Sequence, residues 1–287
     1  MTRRLGIVGG SGVYGIDGLQ GGRWEEIETP WGAPSDAVLR GEVAGIDVVF
    51  LPRHGRGHVH APGDLPYRAN IAAMKMSGVT DLVSISAVGS FREEMAPGDV
   101  VIVDQFIDRT RDRPASFFGA GCVAHVSLAR PVCPRLAGIA AAAAEAPGAR
   151  VHRSGTYLAM EGPQFSTRAE SRLYRDWGAD VIGMTNMPEA RLAREAEICY
   201  ASIAMVTDYD AWHPGHDAVD VAAVLAVLKA NGSRAQAAAD ALPARLGPAG
   251  PCPHGCDRAL DHAVMTAPDR RDPALVGRLR SVAGRVL

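Results

Sequence analysis

Short apolar runs alternate with helix-forming stretches along most of this chain of 287 residues. Strand-like runs occupy Leu5–Val8, Ala37–Val43, Ile46–Leu51, Asp81–Ser86, Val100–Asp104, Thr156–Met160, Val181–Met184 and Ser202–Thr207. Helical spacing marks Tyr67–Met76, Pro134–Glu145, Arg168–Trp177, Glu189–Ala196, Val219–Ala230 and Ala235–Leu242. Strands that alternate with helices form a largely parallel or mixed sheet that helices cover on both faces. The pattern therefore predicts an α/β fold, a single domain with a central mixed β-sheet flanked by helices.

A Pro- and Gly-rich stretch at Leu246–Gly255 divides the chain into two unequal parts. Residues 1–245 carry the alternating pattern and are expected to form the main domain. Residues 246–287 are too few to bury a core of their own. We therefore expect a C-terminal appendage, whose clearest helix is Pro273–Val286.

Composition excludes several kinds of partner. The formal net charge is −2 and no basic run stands out, which argues against a nucleic-acid partner. No apolar run approaches the roughly 20 residues of a membrane span, and glycines interrupt the N-terminal apolar run where a signal peptide would continue. The five cysteines are odd in number and mostly scattered. A reduced cytoplasmic protein is the expectation.

The segment Gly10–Gly15 matches the pattern G-x-G-x-x-G directly after a predicted strand. A dinucleotide-binding turn needs a helix to begin there, but four glycines fall within residues 15–22, which makes that helix improbable. A plain turn is a second interpretation. An anion-binding turn fits best, since glycines expose backbone N–H groups and Ser11 adds a hydroxyl.

Two acids, Asp208 and Asp210, follow the apolar strand Ser202–Thr207. In an extended segment, residues two apart point to the same side, so both carboxyls are expected to face one ligand. Two close carboxylates resist joint ionisation, which raises the pKa of one of them and keeps it protonated near neutrality. The alternative, and the commoner fate of such a pair, is a solvated turn after a strand.

Eight segments, taken in order, resemble the methylthioadenosine phosphorylase branch of the trimeric purine nucleoside phosphorylase family. They are Gly6–Gly12, Arg53–Gly55, Pro66–Ile71, Ser86–Ser90, Pro97–Thr110, Glu161–Ser166, Met184–Glu189 and Cys199–Trp212. The likeness extends to about Ala230 and is weakest in the tail. It implies an α/β domain with a mixed sheet, assembled as a homotrimer or hexamer with active sites shared between subunits. It also implies that phosphate is a co-substrate and that no cofactor or metal is needed.

The resemblance assigns the phosphate cradle to residues from several loops. They are Ser11, Arg53, His54, Ser86, the backbone of Ala87, and Thr185. An arginine supplies a planar fork for phosphate oxygens, and hydroxyl and N–H groups supply neutral donors. Without the resemblance, an exposed loop pair would be the favoured interpretation of Arg53 and His54.

The resemblance also places residues around the nucleoside. Met184 corresponds to the residue beside the ribose hydroxyls, and Phe165 and Ser166 lie beside the base. Asp208 is expected to donate a proton to purine N7 as general acid, while an ionised Asp210 accepts from the 6-amino group. A carboxylate that faces a 6-carbonyl would oppose two acceptors, so adenine nucleosides are favoured.

An apolar wall is expected for the 5′ substituent. Val221, Val224 and Leu225 fall at i, i+3 and i+4 of a predicted helix and so share one face, which suits a methylthio group. Plain core packing is the alternative for these aliphatic residues. His125 corresponds to a residue that the family lends across the subunit interface.

Two rival functions stay open at this stage. A 6-oxopurine phosphorylase, acting on methylthioinosine, inosine or guanosine, would share the fold. A dinucleotide-binding protein would use the glycine loop instead and perform no phosphate-dependent chemistry.

Metal sites are not expected. His54, His58 and His60 lack a carboxylate at ligand spacing, and a solvated loop explains the outer two better. Cys252 and Cys256 are compatible with a disulfide, half a zinc site or free thiols. Only His254 and His262 lie nearby in sequence, so free thiols are favoured, although some members of the family form C-terminal disulfides.

Overall fold

The computed structural model describes residues 3–10, 13, 15–145, 149–214 and 221–287. Within the last range, the side chains of 221–226 and 228–231 lie outside the description. Ser11 and the side chains of Val221, Val224 and Leu225 therefore fall outside the described part of the chain, and their predicted roles are not placed by it.

One mixed sheet organises the described residues. Its strands are β1 (Arg4–Gly9), β2 (Gln20–Glu25), β3 (Val38–Val43), β4 (Ile46–Pro52), β5 (Asp81–Ser90), β6 (Val100–Val103), β7 (Gln105–Asp108), β8 (Val151–His152), β9 (Thr156–Ala159), β10 (Val181–Gly183) and β11 (Cys199–Asp208). They lie in the order β2-β3-β4-β1-β5-β10-β9-β7, and β11 pairs with both β5 and β6 while β8 pairs with β6. The predicted α/β class with a central mixed sheet is confirmed.

Helices pack against this sheet in two groups. The helices are α1 (Tyr67–Met76), α2 (Pro134–Glu145), α3 (Arg168–Asp176), α4 (Asn186–Glu195), α5 (Val221–Ala241) and α6 (Pro273–Ala283). Helix α2 contacts α5, α1 contacts α4 and α6, and β11 is contacted by α2, α4 and α5. Strand β5 is buried along nearly its whole length, as expected for a central strand with both faces covered.

The four central strands β4, β1, β5 and β11 run parallel to one another. Gly9 pairs with Pro52 on one side and with Ile85 on the other. The next residues along the three strands, Gly10, Arg53 and Ser86, therefore lie side by side. The carboxyl edge of parallel strands is the usual place for a ligand site in an open α/β sheet.

Several element bounds differ from the sequence predictions for identifiable reasons. The bounds of α1 and α2 agree with the predicted ones. Strand β2 was not expected, because it is an exposed edge strand with two glycines and no alternation. Strand β7 lies outside the predicted strands, and its residues are only partly buried. The two helices predicted around residues 219–242 form one described helix, α5.

The C-terminal residues share the core of the main domain. Leu260, Leu279 and Val282 are buried in the same cluster as the sheet residues. Helix α6 begins at Pro273 because Asp272 caps it, accepting hydrogen bonds from the N–H groups of Ala274 and Leu275. The predicted appendage therefore packs as part of the main hydrophobic core.

Among the described residues, no helix is both long enough and apolar enough to cross a membrane.

Replacing Leu279 with alanine tests whether the tail contributes to the core. Leu279 is fully buried, so Leu279→Ala should lower the free energy of unfolding by about 2–5 kcal/mol, measured by urea denaturation. Leu173→Ala, in helix α3, is the control: its side chain is half-exposed and the cost should stay within about 0.5 kcal/mol. Equal losses in the two variants would contradict a shared core.

Candidate active site

A glycine brings the end of β1 close to its neighbours. The N–H of Gly10 donates to the carbonyl of Ile85 at 2.9 Å. A Cβ at Gly10 would lie 2.8 Å from Nη1 of Arg53 and 2.9 Å from the Ile85 oxygen, so only glycine fits here. After Gly15 the chain forms no helix before β2 begins at Gln20, and the dinucleotide-binding turn is therefore not supported.

Arg53 lies fully buried beneath this turn. Its Nε donates to Oε2 of Glu189 at 2.9 Å, and its Nη2 donates to Oγ of Ser84 and, at 3.3 Å, to the carbonyl of Val8. Nη1 donates to the carbonyl of Ile85 at 3.2 Å and faces Gly10. Burial lowers the pKa of Arg53, but the charge and the hydrogen bond of Glu189, with smaller contributions from two tyrosines, together raise it, so the guanidinium keeps its proton.

The exposed loop pair expected without the resemblance is therefore wrong, since Arg53 and His54 are both buried. Glu189 lies in the segment Met184–Glu189, but the sequence predictions gave it no role. Its partner Arg53 is distant in the chain, so no local pattern links the two residues. The hydroxyl of Tyr200 also donates to Glu189, at 2.8 Å.

Two hydroxyl residues of the predicted phosphate cradle are buried at the same edge of the sheet. Ser86 Oγ has no hydrogen-bond partner among the described residues, which leaves a buried polar group to be satisfied by a ligand. Thr185 is buried just before α4, and its N–H donates to the hydroxyl of Tyr157 at 3.3 Å. Ala87, adjacent to Ser86, is partly buried in β5.

His54 is a neutral histidine with a defined tautomer. Burial, with a smaller contribution from the charge of Arg53, lowers the pKa of His54 to about 4. Its Nδ1 lies 2.9 Å from the carbonyl of His60, so Nδ1 carries the hydrogen and Nε2 is an acceptor. The exposed ring of His58 stacks on that of His54 at 4.2 Å between centroids.

The two predicted acids both lie against Gly89 of β5. A Cβ at Gly89 would lie 2.9 Å from Oδ1 of Asp208 and 3.3 Å from Cβ of Asp210. The extended segment predicted for this pair is wrong: Asp210 has a φ of +48°, and its N–H donates to Oδ1 of Asp208 at 2.8 Å. The acids converge through this tight turn and through the absence of a side chain at Gly89.

Burial is the main cause of the raised pKa of each of these two carboxyls. It raises the pKa of Asp208 and the pKa of Asp210, and the charge of Asp208 raises the pKa of Asp210 further. The prediction attributed the raised pKa to mutual repulsion, which is the smaller contribution. Asp210 Oδ2 is buried and has no hydrogen-bond partner among the described residues.

The hydroxyl of Thr207 links Asp208 to β5. Thr207 Oγ1 donates to Oδ2 of Asp208 at 2.7 Å and lies 3.1 Å from the carbonyl of Val88. This hydrogen bond lowers the pKa of Asp208, and the larger effect of burial raises it.

Arg113 positions the segments that carry Met184 and Glu161, and sequence reasoning missed it. It is buried, and its Nη1 donates to the carbonyls of Met184 and Met187, at 2.6 and 3.0 Å. Its Nε donates to Oε1 of Glu161 at 3.0 Å. Gly162, with a φ of +72°, leaves room for the Met184 sulfur. An arginine in a polar loop gives no sequence signal for such contacts.

The remaining predicted site residues lie nearer the surface. Phe165 is 43% exposed, and the hydroxyl of Ser166 donates to the sulfur of Met160 at 3.7 Å. His125 is exposed, and its N–H donates to the carbonyl of Ala263 in the tail. The single chain therefore does not bring Phe165 or His125 into a closed pocket with the acids.

The cysteines depart from the sequence prediction in one respect. All five are free of disulfide bonds. Sequence reasoning considered only His254 and His262 as further ligands near Cys252 and Cys256, whereas in the structure Cys133 and Cys199 lie beside them. Sequence spacing gave no signal, because Cys133 and Cys252 are 119 residues apart.

Comparisons with known proteins agree on one family. The family model described as the phosphorylase superfamily matches residues 4–243. The chain is 66% identical to the S-methyl-5′-thioadenosine phosphorylase of Cereibacter sphaeroides, over 100% of this chain and 99% of the relative. It is 59% identical to the protein of the same name from Bradyrhizobium diazoefficiens, over 99% of this chain and 98% of the relative.

Solved structures give the same result. A methylthioadenosine phosphorylase sourced from an antarctic soil metagenomic library superposes with a TM-score of 0.90 at 45% identity, covering 98% of this chain and 99% of that one. Methylthioadenosine phosphorylase from Schistosoma mansoni, in complex with adenine, superposes with a TM-score of 0.79 at 34% identity, covering 85% and 91%.

The buried neutral state of His54 predicts a pH dependence of stability. The pKa of His54 is about 4 in the folded chain and near 6.5 when unfolded, so between these values the unfolded chain binds the extra proton. The free energy of unfolding should fall as the pH falls through this window. In His54→Asn the free energy of unfolding should depend less on pH, and its total fall across the window should be smaller by up to about 2–3 kcal/mol.

Urea denaturation in phosphate-free buffers from pH 4.5 to 7.5 measures this slope. His262→Asn is the control, because His262 is exposed and asparagine tolerates its positive φ. Identical slopes for the His54 variant and the unmodified chain would contradict the assignment.

Proposed function

The chain belongs to the phosphorylase superfamily, and we propose that it converts S-methyl-5′-thioadenosine and phosphate to adenine and S-methyl-5-thio-α-D-ribose 1-phosphate. The observation that carries this proposal is the pair Asp208 and Asp210. Asp208 is partly buried and Asp210 is buried, and both lie against Gly89 of β5, the strand that also holds Ser86. Gly89 and Ser86 are three residues apart, or about 10 Å along an extended strand. A sugar and a purine ring can fill that span between a phosphate cradle and an acid.

The phosphate side of the site supplies mainly neutral donors. The hydroxyls of Ser86 and Thr185 can donate to phosphate oxygens. Arg53 adds positive charge nearby, although its donors are already bonded to Glu189, to Ser84 and to two backbone carbonyls. His54 Nε2 is an acceptor, and phosphate near neutrality still carries an O–H that can donate to it. This set positions a nucleophile without trapping it in a strong ion pair.

The leaving purine needs a proton as the glycosidic bond breaks. A phosphate oxygen forms a bond to C1′, the C1′–N9 bond breaks, and its electron pair passes to the purine. Asp208 donates its proton to N7, so that adenine leaves as a neutral molecule. Partial burial raises the pKa of Asp208, which favours its protonated form and supports this role.

Asp210 supports a preference for adenine. Asp210 Oδ2 has no hydrogen-bond partner among the described residues, so it can accept a hydrogen bond from the 6-amino group of adenine. A 6-carbonyl would face that oxygen as a second acceptor and leave both unpaired, which costs binding energy. This argues for methylthioadenosine over methylthioinosine, inosine and guanosine.

The other site residues complete the proposal. Met184 contacts the ribose, Phe165 and Ser166 flank the base, and Val221, Val224 and Leu225 form the methylthio pocket. We propose a homotrimer or hexamer in which His125 reaches a neighbouring site; its exposure in the single chain supports this. The reaction itself needs no cofactor beyond phosphate as co-substrate. The disulfide-free cysteines support a cytoplasmic location.

Phosphate-dependent release of adenine tests the proposed reaction and the role of Asp208 together. The unmodified protein should release adenine from methylthioadenosine only when phosphate is present, as measured by chromatography. Asp208→Asn should lower kcat by about 10²–10⁴-fold, since an amide cannot supply the proton. Asp104→Asn is the control, because Asp104 follows the neighbouring strand β6 but is exposed.

No adenine from the unmodified protein would contradict the function. Adenine release with unchanged kcat in Asp208→Asn would contradict only the acid role.

Asp210 is tested by a change of base preference. An amide at this position can present either an oxygen or an NH₂ group, so Asp210→Asn should tolerate a 6-carbonyl better than the unmodified protein does. We expect the ratio of kcat/KM for methylthioadenosine over methylthioinosine to fall at least tenfold. An unchanged ratio would place the specificity elsewhere.

A further inference from the structure

Four cysteines from three separate parts of the chain meet at one buried point. They are Cys133, Cys199, Cys252 and Cys256, and their sulfur atoms all lie within 4.8 Å of one another. All four residues are buried. The fifth cysteine, Cys122, is also buried but lies outside this group.

The separation of the sulfurs fits ligands of one metal ion. Four thiolates at about 2.3 Å from a tetrahedral zinc ion are about 3.8 Å apart. Cys133 Sγ and Cys252 Sγ are 3.7 Å apart, whereas a disulfide joins its sulfurs at about 2.05 Å. An iron–sulfur cluster would hold its four thiolates farther apart than a single ion does. We propose that these four cysteines, named here the cysteine cluster, bind one structural zinc ion.

The backbone around the cysteine cluster holds each ligand in place. Cys252 and Cys256 belong to a tight turn, in which the N–H of Gly255, at a φ of +69°, donates to the carbonyl of Cys252. Their spacing of three intervening residues falls within the range found in zinc knuckles. Cys133 directly precedes helix α2, and its N–H donates to the carbonyl of Tyr200 at 2.8 Å. Cys199 is the first residue of β11.

Positive charge lies beside the cysteine cluster. A zinc ion with four thiolates has a net charge of −2, which burial makes unfavourable unless it is balanced. Arg135 lies close to Cys199, and Arg194 acts electrostatically on Cys256. Arg135 Nε and Nη1 are buried without a hydrogen-bond partner among the described residues, and a thiolate would give them an acceptor.

The role that follows is structural. Four protein ligands fill a tetrahedral coordination shell and leave no open position for a substrate. Cys199 and Asp208 are the two ends of β11, which places them about 30 Å apart along the strand. The ion would attach the turn at Cys252–Cys256, and with it the tail, to β11 and α2.

Metal analysis of the full chain tests this proposal. Protein purified with a reductant and without chelator should contain about one zinc per chain by plasma mass spectrometry. Cys252→Ser should lower the zinc content at least fivefold, while Cys122→Ser, a buried cysteine outside the cluster, should retain it. Reduced protein that takes up no zinc on titration would overturn the proposal, and so would iron as the bound metal.

Cobalt and thiol measurements provide readouts that do not depend on how well a variant folds. The metal-free chain loaded with Co²⁺ should show intense thiolate-to-cobalt absorption and the visible bands of a tetrahedral site. Weak bands typical of octahedral cobalt would contradict the proposal. In denaturant with chelator, thiol titration should find five free thiols. A finding of three or one would indicate disulfides and overturn the zinc site.

Discussion

The buried ion pair of Arg53 and Glu189 is the interaction on which the carboxyl edge of the sheet depends. Arg53 follows β4 and Glu189 lies on α4, and hydrogen bonds from Arg53 also reach the end of β1 and the middle of β5. A buried charge is tolerated only when it is paired and hydrogen-bonded, and removing one partner of such a pair costs about 3–5 kcal/mol. The pair therefore fixes three strands and one helix relative to each other before any ligand binds.

This arrangement explains why the proposed phosphate site relies on neutral groups. Arg53 gives most of its donors to Glu189 and to backbone carbonyls. It therefore attracts an anion by its positive charge more than by free hydrogen-bond donors. His54 next to it is neutral because burial and the charge of Arg53 lower its pKa. Among the described residues, the hydroxyls of Ser86 and Thr185 remain as donors for an anion, and they need no charge to be buried with them.

The sequence predicted those features that depend on neighbouring residues in the chain, and it did not predict those that depend on contacts between distant residues. Helices α1 and α2 follow from their own residues, and the acids at 208 and 210 stand out because they end an apolar strand. The left-handed backbone at Asp210 and the contacts of Arg113 depend on neighbours that only folding brings together. For the same reason, two of the four clustered cysteines could not be linked to the tail by spacing.

The position of Asp208 depends on the register of β11 more than on the acid itself. Val206 pairs with Val88 and Asp208 pairs with Gly89, so Thr207 is an extra residue that forms a bulge. In a regular ladder Thr207 would face Gly89, and Asp208 would move on to Ser90, away from the one position without a side chain. Bulges re-aim side chains in this way. A slip of one residue would turn every side chain of β11 to the opposite face of the sheet. The hydrogen bond from Ser202 in β11 to Asn186 in α4 opposes such a slip and so stabilises the register that places the acid.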